Sequence, residues 1–485
     1  MIYDMNQPAK PPAPDLYTQS RWDESSLRHR MLTGNWGDDL AKEMERHFNS
    51  ARREIIGIED MSSNVFKGVC QALNSLYNLP PMVGVWEGDR SAEELLGSNG
   101  LINQGGLWAI MQRVLLLNIG LREMFVRVDI HNKGLSYIPV TPDMIYAESH
   151  PSAPMEPTLI SELKLRKHNG KLNWFYDIYD IRDPKNPRFE IREAKKDGTI
   201  GEDYTDTYLE KKRSGKAYPY KDKAGKPFLP FACYHAQLIG DRLFDPFTNA
   251  ELVVGSLVSA AIHTYLLHIA KNSAFPLRYV LGATVAGTNL TGSDSTARRQ
   301  TITTDPTSIL VLSPDPEMQG LGQPIIGQWS NVGDPKALME VIVTYERKLA
   351  QNSGINPASV QKVSGDPRSG YAIAMSRSDQ RDAQRRFKPS MMMGDIQTLE
   401  ISAKMANRFL KKNFPETGYK IEYQTIPQSK DELEAIRKDT IEKAAAGYLT
   451  KTDALRVFFP DLSDDQAYQY LREVKRQQIE FNTTI

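Results

Sequence analysis

The chain has 485 residues, with 60 basic side chains set against 60 acidic ones and a hydrophobic content of 40%. That length supports roughly two to four domains of ~100–200 residues each, and the composition excludes wholesale disorder. The even charge balance excludes a protein that wraps nucleic acid tightly, since phosphate neutralisation demands a basic excess, but not one past which DNA slides.

Cys70 and Cys233 are too few and too far apart for a disulfide framework or a zinc knuckle, which points to a reducing compartment. No basic segment followed by an apolar stretch opens the chain, so no signal peptide is expected. The most apolar helical stretch, Leu252 to Ala270, is interrupted by His263 and His268. It reads as too polar for a membrane span, and a soluble protein is expected.

In chain order, residues 1–22 carry Pro8, Pro11, Pro12 and Pro14 and read as an arm without a core of its own. Helical periodicity follows from Asp23 to about Leu79, through Leu40, Met44, Val65, Val69, Leu73 and Leu76, until Pro80 and Pro81 stop it. A helix over Leu101 to Gly120 presents Leu107, Ile110, Met111, Val114 and Leu117, with Gly120 suited to its C-terminal cap. The period then changes to two. Met124 to Ile130 and Leu135 to Val140 predict a hairpin, followed by strands over 159–167, 174–181 and 189–194 with a turn at Asn169–Gly170. This block is an antiparallel sheet facing helices, so the fold class is α+β.

Residues 195–230 read as a long surface loop or extended strands. A helix of about 36 Å is predicted from Asn249 to Asn272, ended by Phe275–Pro276, with a strand over 277–280. Residues 283–331 read as a small Gly- and Thr-rich β insertion with strands at 309–312 and 324–326. A helix from Pro335 to Asn352, a loop from Ser353 to Ser369, and a long helix from Gly370 to about Asn413 kinked at Pro389 follow. Tyr419 to Ile426 is a lone strand. The tail after Ser429 is all helical, with capping boxes at Ser429/Glu432 and Thr450/Asp453.

Motifs for chemistry are sparse. Gly320–Leu321–Gly322 lacks the third glycine of a phosphate-binding loop and reads as a turn. His263 and His268 stand about 140° apart around a helix, which suits polar interface histidines better than a metal site. The pairs Asp38–Asp39, Glu93–Glu94 and Asp464–Asp465 fall in helix first turns, where they complement the helix dipole. The sequon Asn289–Leu290–Thr291 has no secretion signal to make it meaningful. The reading is therefore no enzyme, no cofactor and no metal. One constellation stands out: Arg377, Arg381, Arg385, Arg386 and Lys388, interleaved with Asp379 and Asp382. It is either a solvated helix face with internal ion pairs or a face that meets neighbouring subunits or DNA phosphates.

The order of elements resembles that of the portal proteins of tailed bacteriophages. The resemblance is carried by Asp245–Pro246 with the helix to Asn272, Phe275 to Val280, Tyr345 to Pro357, Ser369 to Ala374, and Ala446 to Leu455 with Asp464–Asp465. It implies a ring of this chain, usually twelve copies, at one capsid vertex of a virion assembled in the host cytoplasm. Its parts would be an arm (1–22), a wing (23–244 and 371–428), two stem helices (245–274 and 334–353), a clip (275–333), a tunnel loop (354–370) and a crown (429–485).

Implied partners are double-stranded DNA in the channel, the terminase large subunit, a head-tail adaptor, and the major capsid and scaffold proteins. The tunnel loop would present Asn356, Gln361, Lys362, Asp366 and Arg368, and the clip Arg298, Arg299, Gln319 and Gln323. The small residues Gly255, Ser256, Ser259, Ala260 and Ala261 on the first stem helix would let neighbouring subunits approach closely. The alternatives are another virion structural or adaptor protein, or a metal-dependent nuclease built from scattered carboxylates.

Overall fold

The computed structural model describes residues 8–47, 60–85, 100–102, 106–131, 134–208, 220–237, 242–244, 250–274, 277–281, 283–285, 312–314, 325–329, 335–355, 370–424, 430–458 and 464–483. The fold is α+β. In chain order come α1 (Leu16–Thr33), α2 (Gly37–His47), α3 (Val65–Leu73), β1 (Met82–Val85) and α4 (Leu107–Leu121). Then follow β2 (Glu123–His131), β3 (Gly134–Val140), β4 (Ile145–His150), β5 (Ala153–His168), β6 (Lys171–Asp180), β7 (Arg188–Ala194) and β8 (Ile200–Asp203). Next are α5 (Thr205–Tyr208), β9 (Tyr220–Lys221), β10 (Pro227–Phe228), β11 (Phe231–His235), α6 (Ala250–Ala274), β12 (Leu277–Leu281), β13 (Ala283–Val285), β14 (Leu312–Pro314) and β15 (Ile325–Trp329). The chain ends with α7 (Pro335–Asn352), α8 (Gly370–Phe409), β16 (Tyr419–Glu422), α9 (Lys430–Ala445), α10 (Lys451–Phe458) and α11 (Asp464–Thr483).

Two compact units emerge. One comprises Met1–Thr33, Lys67–Asn249 and Ala350–Ile485, the other Gly34–Phe66 and Ala250–Leu349. In the first, β4 to β8 form a five-stranded antiparallel meander and β11-β2-β3 a three-stranded sheet. The β5–β6 turn is the expected Asn169–Gly170, with φ values of 48° and 81°. Two successive left-handed residues match the right-handed twist of the flanking strands. The strand at 419–422 is not alone: it pairs antiparallel with β1, the four residues that follow Pro80–Pro81. Within 195–230, expected as a surface loop or extended strands, the described residues form β8, α5, β9 and β10.

One expectation at the N-terminus is corrected. The first helix starts at Leu16, because Asp15 accepts hydrogen bonds from Thr18 N (2.8 Å) and Thr18 Oγ1 (2.7 Å), an N-cap set among the prolines. Residues 8–15 also lie docked on the meander. Ala13 packs on the Trp22–Leu163–Tyr176 cluster, Trp174 Nε1 donates to Pro8 O at 3.0 Å, and Lys10 pairs with Asp143 at 3.2 Å. Gly120 is likewise not a cap. It sits within α4, where a Cβ would come 2.5 Å from Leu32 Cδ1, and the left-handed residue that ends the helix is Arg122 (φ 76°). Close approach of another helix requires the glycine, so an arginine is left to take the strained cap.

The 40-residue α8 organises this unit. Pro389 lies inside it, and Ala383, Phe387, Met391, Leu399 and Ala406 mark its buried stripe. Asp395, 2% exposed, is the polar centre of that stripe. It accepts hydrogen bonds from Tyr77 (2.7 Å), Tyr234 (3.0 Å) and Tyr423 (2.6 Å), hydroxyls delivered by three segments far apart in sequence. Burial pushes its carboxyl up to about 6, against the three hydroxyls that favour the charged form. Gly394 beside it is obligatory, since a Cβ there would overlap the Tyr234 ring.

Gly394→Ala is therefore expected to destabilise the protein by about 1–3 kcal/mol, the range for overpacking a closed core, measured by thermal or denaturant unfolding. The raised pKa carries its own sign. Ionising Asp395 costs about 3 kcal/mol more in the folded than in the unfolded chain, a loss that develops as pH rises from about 4 to about 6. Asp395→Asn, which cannot ionise, should thus show its largest deficit in thermal midpoint near pH 4 and a smaller one at pH 7. A deficit that does not change with pH contradicts this assignment.

Candidate functional site

The sequence directs attention to two places, the paired helices α6 and α7 and the basic series on α8. Within the second unit, α6 and α7 pack side by side because Gly255 has no side chain: a Cβ there would come 2.5 Å from Leu349 Cδ2 and 3.1 Å from the Tyr345 hydroxyl. Leu252, Val253, Leu257, Ala260 and Ala261 of α6 and Ile342 and Leu349 of α7 are buried, as are Trp36, Leu40 and Met44 on and beside α2. A row of hydroxyls on α6 receives the 60–66 segment. Asp60 N–H donates to Thr264 Oγ1 at 2.8 Å, and Phe66 N–H, an otherwise orphaned donor in the first turn of α3, donates to Ser256 Oγ at 2.9 Å.

The small residues expected to admit neighbouring subunits are thus used within the chain. Ser256, Ser259 and Ala260 are fully buried and Ala261 nearly so. Small side chains permit close approach of any backbone, and here α7 and the 60–66 segment take that place. What α6 and α7 leave outside is apolar and different: Val254, Leu267, Met339 and Val341, each between 42% and 63% exposed. Over Ala250–Ala270 the helix is long and apolar enough to cross a membrane, with a mean hydropathy of 1.7, despite its two histidines. Half of that stretch is buried inside the protein, which a core helix explains equally well.

A polar cluster joins the two helices. Glu346 of α7 accepts at Oε1 from Ser63 Oγ (2.6 Å), Ser259 Oγ (2.7 Å) and His263 Nε2 (3.1 Å). Partial burial opposes its charge, but these three donors hold its carboxyl at about 2. The hydrogen bond to Glu346 raises the His263 pKa, against burial. The arrangement resembles a hydrolytic triad in composition only. In a triad the imidazole stands between carboxylate and hydroxyl to withdraw a proton, whereas here both hydroxyls point at the carboxylate itself. No group of three or more His, Cys, Asp or Glu suited to a metal occurs among the described residues. Burial pushes both the Cys70 and Cys233 thiols up to about 12, out of nucleophilic range at neutral pH.

On α8 the basic series is divided. The backbone of Arg377 is helical, but its side chain lies outside the described residues, as do Asn356, Gln361, Lys362, Asp366 and Arg368, and Arg298, Arg299, Gln319 and Gln323. Arg385 is 83% exposed and pairs with Asp382 at 3.5 Å, an internal ion pair of the kind expected. Arg381 and Lys388 are half-buried. Arg386, also exposed, donates from Nη1 to Ser353 O at 3.2 Å. Neither the Glu346 cluster nor the three tyrosines on Asp395 were anticipated. Ser63, Ser259 and Glu346 share no local spacing, so the only sequence clue was a histidine on an apolar helix.

The His263–Glu346 pair makes stability depend on pH. With the histidine pKa raised, the contribution is fully present below about pH 6.5 and lost as pH rises through the shifted value. With the glutamate lowered, it is lost again as pH falls from the ordinary carboxylate range toward 2. His263→Gln should lower the unfolding free energy most near pH 5.5, by about 1 kcal/mol for a partly screened pair, and little at pH 8.5, as read from denaturant unfolding. An equal loss at both pH values would show that the imidazole acts by packing alone.

No protein-family model and no curated protein matches the chain. Among solved structures it is similar to a chain from the neck of an empty gene transfer agent particle computed with C6 symmetry, at a TM-score of 0.42 and 11% identity over 81% of this chain and 88% of that one. It is also similar to a chain from the virion of a native gene transfer agent particle, at a TM-score of 0.38 and 10% identity over 82% of this chain and 90% of that one. Likenesses of this size do not assign a function.

Proposed function

We propose that this chain is a structural protein of a tailed-phage-like virion and, more specifically, a subunit of its portal ring, with no catalytic role. The observation that carries the reading is the nested module between the paired helices. The chain leaves α6, forms β12 and β13, returns as β14 and β15, and enters α7, with β12 pairing β15 and β13 pairing β14. Two long helices held side by side with a small β module at one end suit the wall of a pore, with the module as a docking tip. The exposed Val254, Leu267, Met339 and Val341 supply apolar surface for a neighbouring copy. The balanced charge suits a conduit that must not grip DNA.

In this reading about twelve copies close into a ring by a repeated head-to-tail contact. Double-stranded DNA passes through it during packaging and ejection, past the 354–370 segment. The β module meets the terminase large subunit and later the head-tail adaptor, and the outer surface meets capsid and scaffold proteins.

Negative-stain microscopy with light scattering tests this directly. Particles of several hundred kilodaltons with an axial hole are expected. Val254→Glu with Val341→Glu should yield smaller species of unchanged helical content. A purified protein that stays monomeric at micromolar concentration, or that cleaves DNA with a divalent metal, would overturn the proposal. A ring without bound DNA in assembled particles would favour another virion adaptor.

A further inference from the structure

We infer that Arg386 is a positioning residue that locks the C-terminal turn of α7 onto α8. The inference deepens the portal reading by removing Arg386 from the candidate DNA-facing series. The joint itself lies wholly within the first unit, in residues 350–355 and 386.

The end of α7 is a Schellman cap. Ile355 N–H reaches back to Ala350 O at 3.0 Å, Gly354 N–H reaches Gln351 O at 2.9 Å, and Gly354 is left-handed at φ 78°. Ile355 and Ala350, the pair whose contact accompanies this motif, are both buried. Such a cap satisfies the carbonyls of 350 and 351, and the Ser353 carbonyl stands at the negative end of the helix dipole. Arg386 Nη1 fills that position at 3.2 Å. Its guanidinium lies so close to Gly354 that any Cβ there would overlap it.

The same motif at the end of α9 provides an internal comparison. Tyr448 N–H bonds Lys443 O at 2.9 Å, Gly447 N–H bonds Ala444 O at 3.2 Å, and Gly447 has φ 79°. Nothing lies within 4 Å of a Cβ at Gly447. A left-handed cap therefore needs its glycine for backbone reasons at both places, but only at 354 is the space above the glycine occupied by a cation from another helix. Arg385, the preceding residue, is exposed as Arg386 is, but pairs with Asp382 along its own helix.

Amide hydrogen exchange of the DNA-free full-length protein tests the assignment. Arg386→Met keeps the length and helix preference of the side chain but has no donor. It should raise exchange of the 353–355 amides about tenfold, Arg386→Lys should restore most of the protection, and Arg385→Met should change nothing there. Gly354→Ala, strained by its left-handed backbone alone, serves as a control for loss of the cap itself. Unchanged exchange in Arg386→Met would overturn the inference. If instead Arg386→Met leaves exchange intact and weakens DNA association in a salt-dependent way, Arg386 is a phosphate contact. The readout involves neither ring nor DNA, so its failure is distinct from failure of the portal proposal.

Discussion

Gly255 lacks a side chain, and Leu349 and Tyr345 occupy the room that this leaves. Everything proposed for the second unit depends on that close approach. Across that contact the hydroxyl of Ser259 and the imidazole of His263 both reach one oxygen of Glu346. Drawn together, the three donors compensate a carboxylate that partial burial would otherwise neutralise, and Ser63 adds the segment before α3 to the same atom. A packing choice thus makes an electrostatic one possible. With their mutual faces committed inward, α6 and α7 turn a different apolar set outward, Val254 and Leu267 on one helix and Met339 and Val341 on the other.

The first unit repeats the logic with other chemistry. Asp395 sits where α8 is most enclosed, and burial raises its pKa even though three hydroxyls donate to it. Such a carboxylate contributes little net stability against an apolar core. What it supplies is registry: Tyr77, Tyr234 and Tyr423 can satisfy it together only when their three segments stand in one arrangement around α8. Gly394 next to it makes the room for Tyr234. In both units a glycine sets the distance and an acid fixes the partners.

Periodicity in the sequence located nearly every long element, because helices and strands impose 3.6 and 2 on their buried faces whatever surrounds them. The helix beginning at Pro335, the Asn169–Gly170 turn and the Thr450–Asp453 cap, where Asp453 N–H donates to Thr450 Oγ1 at 3.1 Å, were all legible for this reason. Glycines were misread wherever two explanations compete for them. Gly120 has the position of a cap, yet serves contact with Leu32 while Arg122 takes the left-handed turn. Gly255 was assigned to contacts between subunits, yet serves contact within one. Local rules can say that a backbone needs room, but not which partner fills it. In the Arg377–Lys388 series, spacing along a helix allows for the Arg385–Asp382 pair but cannot reveal that Arg386 reaches the end of a different helix.

The conspicuous polar groups share one property that bears on function. Glu346, Asp395 and Arg386 each join segments far apart in sequence, and each has hydrogen-bond partners that hold it in one place. Catalytic groups are different: a base or nucleophile keeps an accessible lone pair and a pKa near the working pH. Glu346 is held far below that range with three donors on one oxygen, both thiols are held far above it, and Asp395, raised to about 6, is enclosed under three tyrosine hydroxyls. Polar residues arranged in this way resist deformation. In a ring subunit under load from packaged DNA, joints of this kind would transmit force between helices without slipping, and the proposed portal role asks for that property more than for any reaction.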